Sequence, residues 1–137
     1  MLDDRLTADE RRALLFLLTS VALADGKLSA SEVRFVQRLA LPVGIEVGEL
    51  LSTVDSEHEE ALCARLSRPV AARIAVVELL RLAHVDDVYA HVEERAIHGL
   101  ATRLGVDEAR VHELESWVRR EWQLHAEGRR LVEDSQS

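Results

Sequence analysis

The chain has 137 residues, of which 47% are hydrophobic and only 4% aromatic, and its formal net charge is −8. This length fits one domain over residues 1–137, and the acidic balance without a concentrated basic patch argues against nucleic acid as a partner. The single cysteine, Cys63, excludes an intrachain disulfide and multi-cysteine zinc sites, and is expected to be a structural thiol.

The beginning of the chain lacks the positive charge and apolar run of a signal peptide. No apolar run approaches the ~20 residues that cross a bilayer. These features predict a cytoplasmic protein.

The first helix is predicted from a capping box, in which Thr7 is followed three residues later by Glu10. Apolar residues cover most of the circumference of this helix, so we expect it to be central and buried up to about Ala24. The sequence Asp25-Gly26 then ends it, because glycine suits a left-handed helix end.

A second capping box, Ser29 with Glu32, predicts a helix that ends at Pro42 and Gly44. Short helices are expected over residues 47–53 and 56–66.

Pro69 suits the first turn of another helix that is apolar nearly all round, and we interpret it as the second central helix. A helix over residues 91–104 follows and ends at Gly105. Asp107 is predicted to cap the last helix, and residues 132–137 are predicted to form a frayed tail. No alternating strand pattern appears, so the fold class is all-α with about seven helices.

The chain contains a helix, acidic turn, helix unit twice, with Asp86 lying 61 positions after Asp25. At the same offset Glu32 corresponds to Glu93. Two such units predict two pseudo-symmetric halves.

The repeated carboxylates suggest a cation site. Asp25 and Asp86 lie where helices end, and there the macrodipole is negative and carbonyl groups lack partners within the helix. Glu32 and Glu93 fall in the first turn of the next helix. Hard cations such as Ca²⁺ prefer carboxylate and carbonyl oxygens, although the spacing is too short for an EF-hand.

Each carboxylate except one also has an ordinary explanation. The capping box alone accounts for Glu32, turn chemistry accounts for Asp25, and Asp86 with Asp87 could form a solvated turn. Glu93 has no serine or threonine three residues before it, so capping does not explain it.

Residues 24–29, Ala-Asp-Gly-Lys-Leu-Ser, followed by Glu32, resemble the TerB-like family, the fold of tellurite-resistance protein TerB and of the N-terminal part of DjlA co-chaperones. Residues 86–89 followed by Glu93 resemble the same motif, with Asp87 in place of the expected glycine. The resemblance covers about Leu14 to Val118.

This resemblance implies an all-α fold of about seven helices and an acidic patch that binds Ca²⁺ or another divalent cation. The positions that match the family's ligands, with Asp87 as a possible addition, are Asp25, Glu32, Asp86, Asp87 and Glu93. It further implies a non-enzymatic role in tellurite or chemical-stress resistance, through protein partners near the inner membrane face. The alternative is a metal-free interaction module that uses its acidic face.

No nucleophile with a positioned base and no phosphate-binding loop is visible, so we expect no catalytic site. Three Glu/His pairs spaced four residues apart are expected on solvated helix faces: Glu94 and His98, Glu108 and His112, Glu121 and His125. Trp117 and Trp122 are expected in the core or at an interface. The last helix, with Leu124 and Leu131, offers a possible amphipathic docking surface.

Overall fold

The computed structural model describes residues 2–23, 29–53, 58–84 and 91–134, and in these ranges it contains no β-strand. Seven α-helices lie in the described ranges: α1 (Ala8–Ala22), α2 (Ala30–Ala40), α3 (Val47–Thr53), α4 (Glu59–Arg65), α5 (Pro69–His84), α6 (His91–Arg103) and α7 (Glu108–Glu133). Two short 3-10 helices, Leu2–Arg5 and Leu41–Val43, accompany them. The prediction of an all-α fold is therefore confirmed.

Both predicted capping boxes are present. The Thr7 backbone N–H donates to Glu10 Oε1 at 2.9 Å, and the Glu10 N–H donates to Thr7 Oγ1 at 3.1 Å. Ser29 and Glu32 repeat this arrangement before α2. Since each box satisfies backbone donors that the first helical turn leaves free, α1 and α2 begin at the predicted places.

Helices α1 and α5 form the centre of the molecule. Most residues of each are buried, and α1 packs against α2, α3, α4 and α5, while α5 also packs against α6 and α7. Leucine, valine and alanine supply most of the shared core. The two helices that are apolar nearly all round are thus the central ones, as predicted.

Two glycines end helical segments in the left-handed region, Gly44 at φ 74° and Gly105 at φ 82°. Helix α4 begins at Glu59, later than the predicted start near residue 56, because the backbone of His58 is extended; residues 54–57 lie outside the described ranges. Helix α7 continues to Glu133, two residues into the stretch predicted to be frayed, and residues 135–137 are not described.

The prediction of two related units requires two pairs of consecutive long helices. Helix α1 packs against α2, and α5 packs against α6. The residues between the helices of each pair, 24–28 and 85–90, lie outside the described ranges. The pseudo-symmetry of the halves therefore stays a prediction. Among the described helices, none combines the length and apolar character needed to cross a bilayer.

Candidate functional site

Glu32 is the one predicted metal ligand whose side chain the structure describes. Its Oε1 accepts a hydrogen bond from the Ser29 backbone N–H at 3.0 Å, and its own N–H donates to Ser29 Oγ at 3.1 Å. The capping role that the pattern predicts for this residue is therefore present. It leaves the second carboxylate oxygen available for another interaction.

The surroundings of Glu32 are unusual for a carboxylate. The residue is only 6% exposed, and the described side chains around it are apolar: Val21 and Ala22 from α1, Leu79, Leu82 and Ala83 from α5, and Ile97 from α6. Among the described residues, no basic side chain lies within ion-pair distance of it. Burial of a charged carboxylate is unfavourable unless something positive compensates it.

The ends of the two central helices border the same carboxylate. Ala22 is the last residue of α1, and Ala83 lies in the last turn of α5. Both helix ends carry partial negative charge from carbonyl groups without partners in the helix. The space among the apolar side chains is too small for a water molecule, so an ion would reach Glu32 from its exposed edge.

The other predicted ligands are not brought together by what the structure describes. Asp25, Asp86 and Asp87 fall in the two ranges outside the description, and Glu93 lies in the first turn of α6 with its side chain not described. Within the described ranges, no group of three or more His, Cys, Asp or Glu side chains could hold a metal ion.

Glu10 offers a direct comparison, because it closes the other capping box and is also buried. Here Arg68 compensates the charge: its Nε donates to Oε2 at 3.0 Å and its Nη2 donates to Oε1 at 2.7 Å. These hydrogen bonds lower the pKa of Glu10 to about 2. Of the two capping carboxylates, only Glu10 has a described cationic partner.

A second polar cluster joins α5 to α7. Arg81 Nη1 donates to Glu78 Oε1 at 2.6 Å, and Arg81 Nε and Nη2 donate to the two oxygens of Glu121 at 2.9 and 2.8 Å. The guanidinium also lies 5.4 Å from the centre of the Trp117 ring. Sequence reasoning missed this cluster, for which the only local signal is the spacing of three between Glu78 and Arg81.

A third cluster links α6 to α7. His98 Nε2 lies 3.0 Å from Oε2 of Glu115, which is buried, and Arg119 approaches the other oxygen of Glu115 at 3.5 Å. His98 was expected to lie on a solvated face with Glu94, whose side chain is not described; its described partner is instead on another helix. The expected pair of Glu108 and His112 is present at 3.6 Å on the surface.

Burial shifts the pKa values of two further side chains. Cys63 is buried within α4, and burial raises the pKa of its thiol. Burial also lowers the pKa of His84, whose ring lies beside Trp122. A thiol kept protonated is a poor nucleophile, which fits the expected structural role of Cys63.

Comparison with known proteins gives one finding. Residues 1–53 match the family model described as Tellurite resistance protein TerB. No curated protein and no solved structure matches the chain. The matched segment comprises α1, α2 and α3 and includes Glu32, and it ends before α4.

Proposed function

We propose, on the premise that this chain is TerB-like through residues 1–53, that it is a non-enzymatic protein that binds a divalent cation and acts through protein partners. The family description suggests a role of the tellurite-resistance type. The observation that carries the cation proposal is Glu32, a buried carboxylate bordered by the ends of both central helices.

The chemistry of the site favours a hard cation. Glu32 offers a carboxylate oxygen beyond the one used for capping, and helix C-terminal ends attract positive charge. Calcium takes six to eight oxygen ligands, so one carboxylate is not enough. We propose that the remaining ligands come from Asp25, Asp86, Asp87 and Glu93.

A cation bound at Glu32 would supply the positive charge there, as Arg68 does for Glu10. It would neutralise Glu32 and compensate the partial negative charge at the ends of α1 and α5. Because both helices belong to one core, binding would stabilise the whole fold and present an altered acidic surface to a partner protein. No step of this role needs a catalytic group.

The test compares two capping glutamates by the substitutions E32Q and E10Q. Glutamine can still accept the capping hydrogen bond, so each variant removes charge and keeps the cap. Calcium at ~100 times its dissociation constant should stabilise the wild type by ~2.7 kcal/mol. We expect E32Q to lose most of this shift in a thermal melt, and E10Q to lose stability but keep the shift.

Isothermal calorimetry with Ca²⁺ provides the direct measurement. Absence of binding to the wild type, together with no thermal shift, would eliminate the cation proposal. An E32Q variant that binds Ca²⁺ as well as the wild type would show that Glu32 is a capping residue only.

The alternative is a metal-free module whose acidic face binds a basic partner, and the net charge of −8 favours it. In that case the double substitution of Asp25→Asn with Asp86→Asn should abolish partner capture in a pull-down and leave every cation response unchanged. Capture that persists in the double variant would exclude this alternative.

A further inference from the structure

The C-terminal part of α7 is mostly exposed. The buried residues of this helix, Val111, Glu115 and Val118, all lie in its first half, whereas nearly every position from Gln123 to Glu133 is exposed. At 1.5 Å per residue this segment is roughly 16 Å long. Few side chains of this segment pack against the rest of the described chain, so its surface is open to a partner.

One face of the helix carries a row of apolar side chains. Trp117, Leu124 and Leu131 are spaced seven residues apart, nearly two helical turns, and are 39%, 69% and 76% exposed. We call these three residues the α7 stripe. Single exposed apolar residues are ordinary, but an aligned row that continues from the packed half of α7 onto its exposed half indicates an interaction surface.

We propose that the α7 stripe binds the same stripe of a second copy of this chain, with the two helices antiparallel. The three positions are symmetric about Leu124. A two-fold axis there places Leu124 against Leu124 of the second copy, and each Trp117 against a Leu131. An isologous contact of this kind closes on itself and yields a dimer.

The charges beside the stripe favour this orientation. Arg120 lies four residues before Leu124 and Glu127 lies three residues after it, on the same flank of the stripe. Neither side chain forms an ion pair with another described residue. Antiparallel pairing brings each Arg120 close to a Glu127 of the second copy, whereas parallel pairing in register brings like charges together.

The first test is the oligomeric state of the full chain by analytical ultracentrifugation over a range of concentrations. The wild type should show a reversible monomer–dimer equilibrium. L124E should weaken dimerisation at least roughly tenfold, because it places a charge in the apolar contact. The matched control is L41E: Leu41 is 70% exposed but lies after α2 and is not part of the α7 stripe, so this variant should dimerise like the wild type.

Charge reversal tests the orientation. R120E or E127R alone places like charges together and should weaken the dimer several-fold, and the double variant should recover most of the lost affinity. A double variant that is no better than the singles would overturn the antiparallel assignment.

Cysteine cross-linking provides an independent check, because the native Cys63 is buried. L124C should form a disulfide-linked dimer on oxidation, whereas L131C should not, since antiparallel helices keep the two Leu131 positions apart. Equal linking by both variants would mean a parallel pair. A wild type that stays monomeric at every concentration would rule out the second copy as the partner of this stripe, whatever its response to Ca²⁺.

Discussion

At the scale of single residues, Glu10 connects three segments of the chain. Its carboxylate caps α1 through Thr7 and accepts two hydrogen bonds from Arg68, which in turn donates to the Arg5 carbonyl at 2.9 Å. The start of the chain is thereby tied to the residue that precedes α5. A buried carboxylate with these partners is held in its charged form.

This arrangement predicts a pH dependence that E10Q should remove. The pKa of Glu10 falls from 4.5 to about 2 on folding, so the unfolded chain takes up the proton first and the wild type loses stability as pH falls through that interval. Near neutral pH the wild type should exceed E10Q by about 1 kcal/mol. Urea unfolding at several pH values should show this difference shrinking from about pH 4.5 downward; a constant difference would contradict the prediction.

Arg81 predicts a second residue-level effect, because it is the common partner of two carboxylates. Glu78 is 4% exposed and Glu121 is 28% exposed, so removal of the guanidinium mainly affects the buried carboxylate. Arg81→Met should lower the free energy of unfolding by about 3 kcal/mol. Glu121→Gln keeps part of the contact and should cost about 1 kcal/mol. Equal losses in the two variants, measured by urea unfolding, would contradict this ranking.

At the scale of the elements, helix ends depend on residues close together in the chain. Thr7, Ser29 and Asp107 each accept a hydrogen bond from a backbone N–H three residues later. Gly105 ends α6 in a left-handed conformation. These features could be predicted from sequence because every participating group lies within a few positions of its partner.

Two glycines of the same region should respond to alanine in opposite directions. Gly105 has a φ of 82°, which an L residue adopts at a cost of about 1 kcal/mol. Gly99 lies inside α6 with nothing near its potential Cβ, so alanine should stabilise the helix by roughly 0.5–1 kcal/mol. Thermal melts of G105A and G99A should therefore move to opposite sides of the wild type, and shifts of the same sign would contradict the assignment.

Contacts between helices could not be predicted in the same way. Arg81 meets Glu121 and His98 meets Glu115 only because α7 lies beside α5 and α6 with a particular rotation, which the spacing of residues along one helix does not specify. The candidate site shows the same contrast between local contacts and contacts between helices. The capping role of Glu32 was visible in sequence, whereas its burial against α5 and α6 depends on helix packing.

At the scale of the whole molecule, the two central helices belong to one core. α1 and α5 contact each other directly, and the buried residues of all the longer helices form a continuous apolar cluster. A shared core couples the part of the chain that matches TerB to the part beyond residue 53. Loss of packing in either part should therefore weaken both.

That coupling can be tested with one leucine from each central helix. Leu17 in α1 and Leu80 in α5 are fully buried, and alanine at either position removes packing worth about 2–5 kcal/mol. If residues 1–137 form one domain, L17A and L80A should each lower the midpoint of a single calorimetric transition. L41A, at an exposed position, should leave that midpoint nearly unchanged. Two transitions, of which each variant shifts only one, would instead mean that residues 1–53, which match the TerB model, unfold independently of the rest of the chain. A shared core requires both parts to lose stability when either leucine is replaced by alanine.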